Sequence, residues 1–222
     1  AKTIERERRL TGDAAHELRS PLTAIKTHLQ VARMTEGAAR DQSLARAEEG
    51  ADRMHRTLEQ LLLLARVEGS LSFDDGVHCN AEQVARLAIQ DAAVGARARV
   101  KLHMHGKAGE AAVEMPSTLA IAALRNLLDN ALRHTPEECP VELNLETVGA
   151  RVRFQVRDHG SGIPAQDLQH LTQRFWRDSQ SSGCGLGLAI VQAIVQRCGC
   201  ELNFDSRPDG LRVELTLPAH RA

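Results

Sequence analysis

Apolar residues in the first 68 positions recur at intervals of three and four. The first run consists of Leu18, Leu22, Ile25, Leu29 and Ala32, and the second of Leu44, Ala47, Ala51, Met54, Leu58, Leu61 and Ala65. A polar stretch over residues 35–41 separates them. This spacing places one apolar stripe along each of two helices, and it predicts a helical hairpin with a short polar turn.

A lone helical hairpin buries too little apolar surface to be stable. Pairing of two hairpins into a four-helix bundle solves this problem, so the pattern predicts a homodimer. The alternative is that the hairpin packs on the rest of its own chain.

After Gly69 and Ser70 the period changes. Alternating segments that predict strands cover residues 100–104, 141–148, 152–156 and 211–217, and helical segments cover 82–95, 116–134 and 186–197. Interleaved strands and helices predict a two-layer α/β sandwich with a mixed sheet. We therefore expect a multidomain α+β protein, with a helical dimerisation domain over residues 1–68 and an α/β domain over residues 69–222.

Composition narrows the function classes. The 222 residues carry a formal net charge of −1 and only 2% aromatic side chains, which disfavours binding to nucleic acid by charge or by base stacking. The five cysteines are odd in number and irregularly spaced, so we expect free thiols in a reducing compartment and no zinc site. No apolar run is long enough to span a bilayer.

The first helix carries a His-Glu pair close to a proline. His16 lies two positions from Leu18, so it points away from the apolar stripe. An exposed neutral imidazole is a nucleophile, and Glu17 can accept the proton of its other ring nitrogen. Pro21 lacks the N–H that would bond the carbonyl of Glu17, which predicts a bend beside His16. By itself the pair can also be an ordinary solvated surface.

A second candidate lies on the helix over residues 116–134. Asn126 and Asn130 are four apart and therefore share a face, although asparagine is a mediocre helix former. Their amide oxygens are hard ligands of the kind that Mg²⁺ accepts together with phosphates and waters. A solvated polar face is the alternative interpretation.

Two glycine-containing segments follow. Asp158 ends a strand and precedes Gly160 and Gly162, which would let the chain approach a flat ligand closely. A carboxylate only accepts hydrogen bonds, so Asp158 would bind the amino group of adenine and repel the carbonyl oxygen of guanine. An ordinary Asx turn is the alternative.

The second segment places Gly183, Gly185 and Gly187 just before an apolar helix. Free N–H groups at a helix start attract phosphate. The spacing fits neither a dinucleotide-binding fingerprint nor a P-loop. The preceding residues 174–182 read as a polar lid with two aromatic anchors.

In this order the motifs resemble the kinase core of a bacterial two-component sensor histidine kinase of the membrane-anchored class. The resemblance extends from about Arg9 to Pro218. His16-Glu-Leu-Arg-Ser-Pro21 is similar to the family's phosphoacceptor box, and residues 126–131 are similar to its asparagine box. Residues 158–162 and 183–187 resemble its two glycine boxes, and residues 174–177 its aromatic box.

The resemblance implies a role for each site residue. His16 would be phosphorylated, with Glu17 as its acid/base partner. Asn130 would bind Mg²⁺ beside Asn126, and Arg133 would meet the phosphates of ATP. His134 stands where the family usually has an aromatic ring over adenine. The remaining ATP-binding positions are Asp158, Gly160 and Gly162 at the base, Arg177 in the lid, and Gly183, Gly185 and Gly187 at the hinge and phosphate cradle.

The resemblance also implies partners and a location. The phosphoryl group would pass to an aspartate on the receiver domain of a response regulator. Ser20 stands where the family usually has Thr or Asn to position a water, which leaves dephosphorylation of the regulator open. We expect the cytoplasmic portion of a bacterial inner-membrane protein, whose sensor and membrane segments would precede Ala1.

Two other functions are compatible with parts of the sequence. One is an ATPase of the same nucleotide-binding fold, as in topoisomerase-type proteins, without a phosphorylated histidine. Against it, the asparagine helix has no obvious catalytic Glu, and Asp129 is a poor substitute. The other is a non-catalytic dimeric scaffold, which the nucleotide motifs disfavour.

Overall fold

The computed structural model describes residues 2–69, 79–92, 97–176 and 184–220. These residues form two compact units. The first comprises the described residues within 1–65 and 177–186, and the second comprises those within 66–176 and 187–222. Among the described residues, no helix combines the length and the apolar character needed to cross a bilayer.

The first unit contains two long helices. Helix α1 spans Lys2–Met34, and helix α2 begins at Gly37 and continues to Glu68. The predicted hairpin is confirmed, but the turn is shorter than expected, because only Thr35 and Glu36 lie outside the helices. Residues 37–41 are polar overall, yet they include two alanines and an arginine, which are good helix formers. Helix α1 continues through Pro21, and the predicted bend there stays a prediction.

The two helices pack through small residues. A Cβ added at Gly50 of α2 would lie 2.8 Å from Ile25 of α1, so the glycine lets the helices approach closely. Ala32, Ala47 and Leu61 of the predicted stripe are buried. Other apolar side chains of the hairpin remain accessible in the single chain, including Leu22 (55% exposed), Leu29 (44%), Leu58 (45%) and Leu62 (54%).

A six-stranded mixed sheet forms one layer of the second unit. Its strands are β1 (Val100–Met104), β2 (Ala112–Val113), β3 (Val141–Val148), β4 (Arg151–Arg157), β5 (Glu201–Arg207) and β6 (Gly210–His220). The order is β1-β3-β4-β6-β2, and β5 also pairs with β6. Strands β1 and β3 are parallel, and the other pairs are antiparallel.

Helices form the other layer. The three main ones are α3 (Ala81–Asp91), α4 (Ser117–His134) and α6 (Gly187–Cys198), and a single turn, α5, spans Ala165–Leu168. One face of β4 is fully buried through Val152, Phe154 and Val156. Leu124, Leu127 and Leu128 of α4 are also buried. The predicted two-layer α/β sandwich with a mixed sheet is therefore confirmed.

Two strands were not predicted. Strand β2 has only two residues, too few for an alternating pattern to show. Strand β5 alternates between exposed and half-buried positions, and its apolar residues are only Leu202 and Phe204. It pairs with β6 across the tight turn at Pro208 and Asp209. The chain therefore returns from α6 through a β-hairpin and not directly to the last strand.

Candidate functional site

The asparagine helix α4 places Asn126 and Asn130 on one face, as predicted from their spacing. Asn126 is buried, and its side-chain amide donates to the carbonyl of Ala122 at 2.8 Å. Asn130 is half-buried, and no side chain or carbonyl of the described chain forms a hydrogen bond with its amide. Its oxygen is therefore available to a ligand, whereas Asn126 is anchored in the helix.

The glycine at the start of α6 lies against this helix. A Cβ added at Gly187 would be 3.2 Å from Oδ1 of Asn126, which is tighter than an ordinary contact. The asparagine face and the first turn of α6 therefore meet within the second unit. Because the first N–H groups of a helix lack intrahelical acceptors and carry a partial positive charge, this junction favours an anion.

Asp158 follows β4 and is only 4% exposed. Its Oδ1 accepts two backbone N–H groups, from Gly160 at 2.9 Å and from Leu211 at 3.0 Å. No donor from the described part of the chain reaches Oδ2. The carboxylate is thus fixed through one oxygen, and the other can accept a hydrogen bond from a ligand. This arrangement goes beyond the Asx turn that was the alternative interpretation, because β6 also supplies a donor.

The glycines after Asp158 are needed by the protein itself. A Cβ at Gly160 would lie 2.6 Å from the carbonyl oxygen of His134, and one at Gly162 would lie 2.0 Å from that of Arg207. Gly162 also has a φ of +69°, which non-glycine residues rarely adopt. The sequence predicts that these glycines let the chain approach a flat ligand closely. That stays a prediction, but the backbone contacts already account for both glycines.

The end of α4 is tied to this loop. The hydroxyl of the buried Thr135 accepts the N–H of His159 at 3.4 Å. The guanidinium of Arg99 donates to the carbonyls of Thr135, Pro136 and Cys139 at 2.5–3.3 Å. Arg99 therefore supplies donors to three carbonyls that lie outside the helices, and it holds the segment that carries Thr135. Sequence reasoning missed Arg99, because its acceptors lie about 40 positions away.

The other predicted site residues fall into three groups. Arg133 and His134 are exposed at the end of α4. In the first unit, Glu17 is half-buried and Ser20 is exposed on α1, and Gly185 has a φ of +69°. Arg177, Gly183 and the side chain of His16 lie outside the described residues. The structure thus brings Asn126, Asp158, Gly160, Gly162 and Gly187 into one unit.

Two cysteines near the sheet have altered acidity. Burial, with a smaller contribution from the neighbouring Cys198, raises the pKa of Cys200 to about 12 against the opposing charge of Arg151. Burial likewise raises the pKa of Cys198. These thiols stay protonated near neutral pH. Within the described ranges, no group of three or more His, Cys, Asp and Glu side chains is arranged to hold a metal ion.

Family models match both units of the chain. The model described as "His Kinase A (phospho-acceptor) domain" matches residues 6–70. The model described as "Histidine kinase-, DNA gyrase B-, and HSP90-like ATPase" matches residues 117–221. The order of the two matches is that of the helical hairpin followed by the α/β sandwich.

Curated relatives and solved structures agree with these matches. "Sensor protein QseC" of Salmonella typhi is 35% identical over 216 residues, and the match covers 92% of this chain and 46% of that protein. "Sensor protein kinase PmrB" of Pseudomonas aeruginosa is 35% identical over 228 residues, with 97% and 46% covered. The chain therefore spans about half the length of these relatives. The fold is similar to that of the Acinetobacter baumannii histidine kinase AdeS, with a TM-score of 0.67, 19% identity, and 93% and 98% of the two chains covered.

Proposed function

The chain belongs to the family of two-component sensor histidine kinases, and from that premise we propose that it transfers the terminal phosphoryl group of Mg-ATP to His16. The group then passes to an aspartate on the receiver domain of a response regulator. The observation that carries the proposal is the buried carboxylate of Asp158, which is fixed through Oδ1 and presents Oδ2 to a ligand. A ligand with an amino group beside a ring nitrogen, such as adenine, suits this acceptor.

The chemistry of the first step needs few groups. One ring nitrogen of neutral His16 forms a bond to the γ-phosphorus, and the bond from that phosphorus to the β–γ bridging oxygen breaks. ADP leaves with the electron pair, and Glu17 takes the proton from the other ring nitrogen. In the second step a carboxylate oxygen of the regulator bonds to phosphorus and the N–P bond breaks. The ring nitrogen keeps the electron pair of that bond, and the other ring nitrogen takes its proton back from Glu17. Alignment and charge neutralisation supply most of the catalysis of such transfers.

The residues of the second unit fit a magnesium-bound nucleotide. Asn130 offers a half-buried amide oxygen, a neutral hard donor. Mg²⁺ accepts one or two protein oxygens when phosphates and waters complete its shell. When bound, the ion would neutralise phosphate charge. Asn126 would line the same site beside Asn130. Arg133 and the N–H groups at the start of α6 would bind the phosphates.

The helical unit supports a dimer. The accessible stripe of Leu22, Leu29, Leu58 and Leu62 is apolar surface that a second hairpin would cover. At about 25 cal/mol per Å² of apolar area, covering such a stripe favours association. Light scattering of the purified chain should give twice the monomer mass of 24.3 kDa.

The same helix offers a docking surface for the regulator. An open face of α1 lies directly after His16 and is formed by Arg19, Ser20, Thr23, Ala24, Thr27 and His28. The exposed Ser20 hydroxyl can hold a water, which supports dephosphorylation of the regulator as a second step. Ser20→Ala should slow that step without affecting autophosphorylation. The parent protein of this kinase core would be a membrane-anchored sensor, in keeping with the greater length of the relatives.

Labelling tests the proposal and separates it from its alternatives. The chain is incubated with γ-labelled ATP and Mg²⁺, and the protein-bound label is then exposed to acid and to base. We expect label that is lost in acid and retained in base, because the N–P bond of phosphohistidine is acid-labile. An ATPase would release phosphate without label, and a scaffold would do neither.

Variants assign the label to a residue. His16→Ala should abolish labelling and leave ATP binding intact, whereas His55→Ala on the exposed face of α2 should keep both. Label that persists on His16→Ala, with the same acid and base stability, would contradict the assignment of the phosphoacceptor.

A further inference from the structure

The loop over residues 158–163 is held by residues that lie about 50 positions later, at the β5–β6 turn. At its first residue, the N–H of Asp158 donates to the carbonyl of Leu211 at 3.0 Å. The N–H of Leu211 in turn donates to Oδ1 of Asp158 at 3.0 Å. Strand β6 thus fixes both the backbone and the carboxylate of Asp158.

At its other end the loop is held by one hydroxyl. Oγ of Ser206 accepts the N–H of Ile163 at 2.6 Å and donates to the carbonyl of the same residue at 2.9 Å. Ser206 lies on β5 opposite Leu211 of β6. The two anchors therefore belong to paired positions of one hairpin, and any shift of this hairpin is transmitted to both ends of the loop.

The backbone is closely packed at both ends of the loop, so neither end can move without a clash. Gly210 has a φ of +136°, and a Cβ there would lie 2.1 Å from the carbonyl oxygen of Asp158 and 3.1 Å from its Oδ1. A Cβ at Gly162 would lie 2.0 Å from the carbonyl oxygen of Arg207. Any side chain at Gly210 must therefore displace the backbone of Asp158. Binding geometry tolerates displacements of only about 0.5 Å.

We propose that Ser206 and Gly210 of the β5–β6 hairpin are positioning residues that aim the Asp158 carboxylate at the adenine amino group, and that they thereby set the preference of the site for adenine over guanine nucleotides. This inference depends on the proposed function, in which Asp158 binds adenine. Ser206 and Gly210 act through Asp158 and need not touch the nucleotide.

The test compares how strongly the site prefers the ATP analogue over the GTP analogue, and not only how tightly it binds ATP. The imido analogues of ATP and GTP are titrated with Mg²⁺ into the 222-residue chain and its variants by calorimetry, and the ratio of the two dissociation constants is compared. Circular dichroism reports folding. Ser206→Ala removes the hydroxyl, and Ser43→Ala is its control, because Ser43 makes a similar bond at 2.9 Å on α2. Gly210→Ala is matched by Gly149→Ala, where φ is +62° but no atom lies within 4 Å of the added Cβ.

The parent chain should prefer the ATP analogue. In Ser206→Ala and Gly210→Ala, affinity for the ATP analogue should fall about tenfold or more, the equivalent of a lost buried hydrogen bond, while affinity for the GTP analogue stays near the parent value. Both controls should keep the parent ratio. If Gly210→Ala does not fold, the result for Ser206→Ala alone tests the positioning role.

An unchanged ratio in folded Ser206→Ala, or an equal loss for both analogues, would overturn the positioning role and leave the proposed function standing. A parent chain that binds neither analogue, or both equally, would overturn the proposed adenine site itself.

Discussion

Replacing Asp158 by asparagine separates the two oxygens of one carboxylate. Asparagine keeps an oxygen that can accept the N–H groups of Gly160 and Leu211, at the present 2.9 and 3.0 Å. It places an NH₂ group where Oδ2 is now. The new NH₂ group then faces the amino group of adenine, and two hydrogen-bond donors cannot pair. The loop keeps its hydrogen bonds from Gly160 and Leu211.

The magnitude follows from these contacts. The lost charge-assisted hydrogen bond is worth about 1.5–3 kcal/mol, and the buried donor left without an acceptor costs about 1–3 kcal/mol more. A total of about 3 kcal/mol, near the lower end of the sum of these two ranges, corresponds to a loss of about 100-fold in ATP affinity. The free energy of unfolding should fall by only about 1 kcal/mol, since the two backbone N–H groups keep a neutral acceptor.

Asp158→Ala is the matched contrast. It leaves both backbone N–H groups without their acceptor at a site that is 4% exposed, so unfolding should become easier by about 2–5 kcal/mol. Calorimetric titration with ATP and Mg²⁺ measures binding, and urea unfolding followed by circular dichroism measures stability. Unchanged ATP affinity in Asp158→Asn would refute the role of Oδ2, and equal destabilisation by Asn and Ala would refute the role of Oδ1.

Four further predictions concern the second unit. Gly187→Ala should weaken ATP binding several-fold without lowering the melting temperature, because its Cβ would press on Oδ1 of Asn126 at 3.2 Å while alanine favours the helix; equal affinity in a titration would contradict this. Arg99→Ala should lower the free energy of unfolding in urea by about 2 kcal/mol, since three carbonyls lose a charged donor, and Arg99→Lys should restore only part of it. Because the pKa of Cys200 is raised in the folded protein, the unfolded thiol ionises first as the pH rises. The free energy of unfolding should therefore be unaffected by this thiol below pH 9 and should fall from pH 9 towards 12. Cys200→Ser should reduce this fall at alkaline pH. The same thiol should react with iodoacetamide at pH 8 more slowly in the native chain than in urea.

The long periodic elements could be read from the sequence because their signal is local. Helix α4 begins one residue after the predicted start and ends at the predicted His134, and β1 and β3 have the predicted bounds. The turn between α1 and α2 was predicted too long, since polar composition resembles a turn even where alanines extend a helix. Strand β5 was missed because it has only two apolar residues, Leu202 and Phe204, so its alternating pattern is too short to stand out among polar residues.

The candidate site shows the same division between local and distant causes. The motif around Asp158 is a contiguous run of residues, so its position and its acceptor chemistry could be predicted. The reason that Gly160 and Gly162 are glycines could not, because the atoms that exclude a Cβ belong to His134 and Arg207. Those contacts depend on how the end of α4 and the β5–β6 turn are placed by the sheet.

The sheet register is therefore the physical link between the fold and the specificity proposed here. Strand β6 pairs Arg212 with Arg157 of β4 on one side and with Asp205 of β5 on the other. A one-residue slip of β5 would move Ser206 to the opposite face of the sheet. The loop would then lose the hydroxyl that bonds both polar atoms of Ile163, although every residue of the nucleotide motif would be unchanged. Selectivity for adenine should thus respond to changes in this hairpin as well as to changes in Asp158 itself, the residue proposed to bind the base.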